Sequence, residues 1–163
     1  MLDGRRSMLS QDEIVAENER FFAPIGRTLI DFARRYNLFL EKYYHDAPSW
    51  SLCFSPPQGG FAKLDVCQES ETTVSIVGVW WVDDYDRGTR FLKWIDKVEV
   101  ERQPDSVEEH LIATLKAVLA SKAGEWTRVA TGYGGIWSRT WTKEQFEQLQ
   151  QDDKFPVPQL GSL

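Results

Sequence analysis

The chain has 163 residues, 42% hydrophobic and 27% charged, with 11 Gly and 7 Pro, the make-up of one ordinary globular domain able to build a core without disulfide or metal staples. Its 19 Lys and Arg stand against 25 Asp and Glu, a net charge of −6, so its overall field repels phosphate backbones and anionic lipid and argues against nucleic acid and membrane as partners. No apolar run nears the roughly 20 residues of a membrane-spanning helix, and no apolar stretch follows Arg5 and Arg6 to make a signal peptide, so the expected setting is cytoplasmic.

In chain order, residues 1–9 read as a flexible N-terminal extension and residues 10–153 as a single domain. Ser10 followed by Glu13 is a helix capping box. Ile14, Phe21, Ile25, Leu29, Phe32 and Tyr36 recur at helical spacing, and Pro24 divides this stretch into two helical pieces ending at Asn37. The pattern then switches to a period of two. The runs 38–44, 50–55, 61–68, 73–82 and 89–101, separated by short polar, Pro or Gly breaks, predict a five-stranded antiparallel meander. Helical spacing returns after Pro104, where Asp105 or Ser106 caps a long helix carrying Val107, Leu111, Leu115, Val118 and Leu119 on one side and ending near Gly124. A Gly-rich connection, Thr131 to Ile136, leads to Trp137 and Trp141, and Thr142 with Gln145 caps a short helix running to about Asp152. Residues 154–163, with Pro156 and Pro158 and no periodicity, read as a flexible C-terminal tail. The expected fold class is α+β: N-terminal helices, a five-stranded antiparallel β-meander, a long helix packed on one sheet face and a short C-terminal helix.

Strand alternation places the candidate chemistry. Pairing Phe54 with Ala62 and Trp50 with Val66 puts Trp50, Leu52, Phe54, Ala62, Leu64 and Val66 on one core face, and sends Cys53 and Cys67 to the other face roughly 13 Å apart, beyond disulfide reach. In the fourth run both faces are apolar: Val74, Ile76, Trp80 and Val82 on one side, Val77, Val79 and Trp81 on the other. Leu92, Trp94, Val98 and Val100 alternate with Phe91 and Ile95 in the fifth, so something must cover an apolar patch on the second face, either this chain or another.

Meander topology also sorts the loops, because successive turns lie at opposite ends of the sheet. His45 therefore cannot join Asp84 in a metal cluster. The acidic turn Asp83 to Gly88 fails as a calcium loop, since Gly88 stands where a ligand is needed and no Glu follows at the twelfth position. A zinc site from His45, His110 and Cys67 conflicts with the outward direction of Cys67, so no metal and no cofactor is expected. The Gly-rich stretch lacks the Lys and the Ser or Thr of a phosphate-binding loop.

With no convergent catalytic set, the reading favoured is a non-catalytic protein-binding accessory or chaperone-like module. Its docking surface would be Trp81, Phe91, Ile95, Trp137, Arg139 and Trp141, used for another protein or for self-association, with Arg139 set between two indoles. One alternative is a thiol-dependent or hydrolytic enzyme with Cys67 as nucleophile and His45 as base. Another is a small-ligand binder with a pocket between sheet and helix lined by Trp50, Trp80 and Trp94.

Overall fold

The computed structural model of the chain describes residues 9–44, 47–84, 89–121, 127–131, 136–139, 156–161 and 163; for 82–84, 89–96, 127–131 and 136–139 the description is of the backbone. The first helix, α1 (Gln11–Phe22), starts at the capping box: Ser10 Oγ accepts the Glu13 amide at 3.2 Å, and the Glu13 carboxylate accepts the Ser10 amide at 3.4 Å. Pro24 has no amide hydrogen to continue the ladder, so α1 stops and a second helix, α2 (Gly26–Tyr36), begins after Ile25. Gly26 packs closely on Trp50: a Cβ there would lie 3.3 Å from the ring, which would have to give by a few tenths of an ångström. Asn37 then closes α2 in the left-handed conformation (φ 56°), and the Leu38 amide donates back to the Ala33 carbonyl at 2.8 Å.

The chain turns from there into an antiparallel meander: β1 (Phe39–Tyr43), β2 (Ser49–Phe54), β3 (Phe61–Gln68), β4 (Thr73–Asp84) and β5 (Thr89–Glu101). Each strand pairs with its sequence neighbour, with Phe54 opposite Ala62, Trp50 opposite Val66 and Cys53 opposite Lys63, as the alternation required. The loop between β2 and β3 depends on Gly59 (φ 99°) and Gly60 (φ 78°), and the Gly59 carbonyl accepts the buried Trp80 indole N–H at 2.7 Å.

The sheet runs on past the five strands anticipated. β6 (Thr127–Thr131) pairs with β5, and β7 (Ile136–Arg139) pairs with β6, giving seven strands in sequence order among the described residues. Between β4 and β5 the register shifts: Ile76 faces Val98 but Gly78 faces Ile95, so β5 holds one more residue than β4 across this interval. Such a bulge reverses the parity of everything beyond it on the bulged strand.

The long helix α3 (Pro104–Ala120) has Pro104 in its first turn and Gln103 at its N-cap, two or three residues ahead of the Asp105 or Ser106 cap suggested by sequence. Proline suits that place because the first amides of a helix have no internal acceptor. The helix ends at Ala120, before Gly124, and the Gln58 amide side chain donates to the Val118 carbonyl at 2.9 Å. One core joins α1, α2 and α3 to the inner face of the sheet: Phe22, Ile25, Leu29, Leu111 and Leu115 with Leu52, Leu64, Ile76 and Trp80, all fully or almost fully buried. The expected short helix after Thr142 lies outside the described residues.

Residues 156–163 return to the domain. Pro156 O accepts the Ser55 amide at 2.8 Å, the Gln159 amide donates to Tyr36 O at 2.8 Å, and the Asn37 side-chain amide donates to Val157 O at 2.9 Å. Pro158 is buried, and Leu163 packs against the core cluster.

Candidate functional site

The outer face of β1–β4 is where the structure departs most from a plain core. Its rows follow from the register: Phe39, Cys53, Lys63 and Val79 in one, Glu41, Ser51, Asp65 and Val77 in the next, then Tyr43, Ser49, Cys67 and Ser75, with Phe61 opposite Trp81 at the end. The small members lie deep. Ser51, Cys53, Ser75 and Val79 are at most 4% exposed, yet none belongs to the core cluster that includes the helices. Polar contacts run along this face: Ser51 Oγ donates to Asp65, Lys63 bridges to Asp65 at 3.4 Å, and Tyr43 OH donates to Glu41. At the rim Phe39 is 49% exposed and Tyr43 37%, while the Phe61 and Trp81 rings stack at 5.9 Å with the Lys63 ammonium 5.8 Å from the Trp81 centroid.

The register divides the residues singled out from sequence. Trp81 is opposite Leu92, and Val79 opposite Trp94. Phe91 is opposite Val82, and Ile95 opposite Gly78, so both occupy positions on the parity of Trp80, which points into the core. Phe91 is also opposite Val129, and Val129 opposite Trp137, which brings Trp137 and, two residues on, Arg139 into that same parity. The six residues therefore do not form one surface: positions 91, 95, 137 and 139 group together, position 81 belongs to the opposite set with 92 and 94, and Trp141 lies outside the described residues. The exposed aromatics Phe39 and Tyr43 and the stacked Phe61 escaped the sequence reading. Alternation of Phe39 with Leu40 and of Phe61 with Ala62 is the signal that would have found them.

The thiols are poor nucleophiles in this setting. Burial pushes the Cys53 thiol up to about 12, and burial followed by the nearby Asp65 carboxylate raises that of Cys67. Both effects disfavour thiolate. His45 and Asp46 lie outside the described residues. His110 has its Nδ1 2.8 Å from the Ser106 carbonyl one turn back on α3, a contact within its own helix. Among the described residues no three His, Cys, Asp or Glu side chains are grouped to hold a metal ion.

Trp50 and Trp80 are each 2% exposed, and the Trp50 ring stacks on Phe22 at 4.5 Å, so these indoles fill the core. A cavity of about 270 Å³ does open elsewhere, lined by Glu17, Arg20, Phe21, Pro48, Gln68, Glu71 and Arg102. Arg102 is committed there to structure, donating to the Phe21 carbonyl at 3.1 Å with its guanidinium 4.6 Å from that ring. Among the described residues no helix is long and apolar enough to cross a membrane. Comparison of the chain with protein-family models, with curated proteins and with solved structures finds no match in any of the three.

Proposed function

We propose that the chain is a non-catalytic protein-binding module, an accessory or chaperone-like factor of the cytoplasm, and that it docks a partner protein on the outer face of β1–β4. The observation that carries this reading is the set of aromatics on the sheet face turned away from the helices: the exposed Phe39 and Tyr43 on one edge strand, with the half-buried Phe61 and Trp81 stack beside Lys63. Aromatic side chains are enriched at the centre of protein interfaces, and Trp and Tyr are among those that contribute most to binding. Depth of the small residues beneath them leaves a firm floor, which lowers the ordering cost of docking. Raised thiol pKa values at Cys53 and Cys67 weigh against thiol catalysis.

Affinity capture from lysate with the wild type, Phe39→Ala and Trp81→Ala tests the reading, followed by titration of the recovered partner against each. The partner held by the wild type should bind either variant at least about tenfold more weakly. Equal affinity for all three, with unchanged circular dichroism, overturns it.

A further inference from the structure

The cavity beside Arg102 has the makings of a site in its own right. It lies at the end of the sheet where the β1–β2 loop, the β3–β4 turn and the junction of β5 with α3 meet the C-terminal half of α1, and these four segments line its space of about 270 Å³. The walls are tied to one another: the Gln68 amide donates to the Pro48 carbonyl at 2.9 Å, the Arg102 amide to the Thr72 carbonyl at 2.8 Å, and the Arg102 guanidinium to the Phe21 carbonyl at 3.1 Å. A cavity cross-linked in this way is formed before any ligand arrives, so little is lost in ordering it. Its volume is far above what one water needs and just below the roughly 300–1,000 Å³ of sites for drug-sized ligands, which suits a smaller molecule.

The lining carries charge of both signs. Arg20 and Glu71 are exposed, Glu17 and Arg102 half-buried, and Phe21 and Pro48 add buried apolar groups. Elsewhere on the surface opposite charges close on one another, as Lys97 does on Glu69 and Lys42 on Glu19. Around the cavity they stay apart: among the described residues Arg20, Glu71 and Arg102 enter no ion pair. Arg102 is fixed by the bond from its Nη1 to Phe21 and by its place 4.6 Å from the centre of that ring, while its other N–H groups have no acceptor among the described residues. A guanidinium anchored through one nitrogen with its remaining donors unused is a ready receptor for a carboxylate.

We propose that this cavity binds a free α-amino acid, with the ligand carboxylate on Arg102 and Arg20, its ammonium on Glu71 and its side chain toward Phe21 and Pro48. Near pH 7 such a molecule is ionised at both groups and neutral overall, which matches a lining of two guanidinium and two carboxylate groups. A simple anion would meet the carboxylates of Glu17 and Glu71 uncompensated, and a simple cation would meet Arg20 and Arg102, so the charge set selects the zwitterion over either. The site lies apart from the outer sheet face and does not rest on the docking reading.

The test titrates the full chain by calorimetry with each of the twenty common amino acids in turn. At least one should bind with a Kd below about 1 mM. The N-acetyl derivative of that amino acid, which lacks the ammonium, and its amide, which lacks the carboxylate, should each bind at least about tenfold more weakly. Arg20→Gln and Glu71→Gln alter exposed positions and should leave the melting temperature of the unliganded protein unchanged, while each weakens binding at least about fivefold. If either substitution disturbs folding, the two derivatives decide the matter on the wild type. A Kd above about 1 mM for all twenty leaves the cavity to solvent and overturns the proposal. So does a derivative that binds as tightly as its parent, since the site would then read one charge only. Undiminished binding by both folded variants also overturns it, by placing the ligand elsewhere on the chain.

Discussion

The two faces of β2–β4 are buried to nearly the same depth by different means. On the inner face Leu52, Leu64 and Ile76 meet helix side chains and lose all contact with solvent. On the outer face Ser51, Cys53 and Ser75 are almost as inaccessible, yet they lie outside that core cluster, in a setting that includes the Ser51 to Asp65 hydrogen bond and the Lys63–Asp65 ion pair. Burial by packing is expensive to undo, because a cavity stays behind; burial under a polar layer yields when the layer moves. The inner face therefore belongs to stability, and the outer face is where the proposed docking would act.

The contrast can be broken first at Trp80. Replacing it with Ala removes a fully buried indole and its bond to Gly59 and should cost about 4 kcal/mol in urea unfolding; a loss below about 1 kcal/mol would dissolve the distinction. The thiols sharpen it next. With its pKa at about 12 in the fold against 9.0 ordinarily, Cys53 favours the folded state while protonated, so its contribution is intact below pH 9 and is lost as pH rises toward 12. Tyr44, raised to about 12 by its hydrogen bond to Glu19, acts in the same direction. The melting temperature should fall across that window, and Cys53→Ala should flatten the fall. At pH 7 iodoacetamide should modify folded Cys67 more slowly than free cysteine, and a faster reaction would revive the enzyme reading.

Smaller effects belong to the polar layer. Trp81→Ala should destabilise by no more than about 1.5 kcal/mol, since its stacking with Phe61 and contact with Lys63 lie on the half-exposed side. Lys63→Ala should cost less than about 1 kcal/mol, because the ion pair with Asp65 is partly solvated. Chemical denaturation with both variants measures the two, and a Lys63 effect equal to that of Trp80 would show the outer layer to be as rigid as the core.

Much of this architecture is legible in the residues. Alternation of Trp50, Leu52 and Phe54 against Ala62, Leu64 and Val66 fixes both the pairing and its face, and Ser10 with Glu13 marks the start of α1. The β5 bulge leaves no such mark: where both faces carry apolar groups, an inserted residue does not disturb any visible pattern, so the sequence groups Phe91 and Ile95 with Trp81 although the register separates them. β6 is short, and Val129 and Ala130 are adjacent rather than alternate. The contacts of residues 156–163 run mainly to backbone atoms, which any sequence presents, so their pattern reads as a tail.

Since every strand pairs with the one before it, hairpins can form as neighbours meet and closure entropy stays low throughout the sheet. The bond from Asn37 to Val157 is of another kind, spanning 120 positions. On refolding, this clasp should fasten after the hairpins have assembled, and in native-state hydrogen exchange the Gln159 amide should open ahead of the amides of β2 and β3.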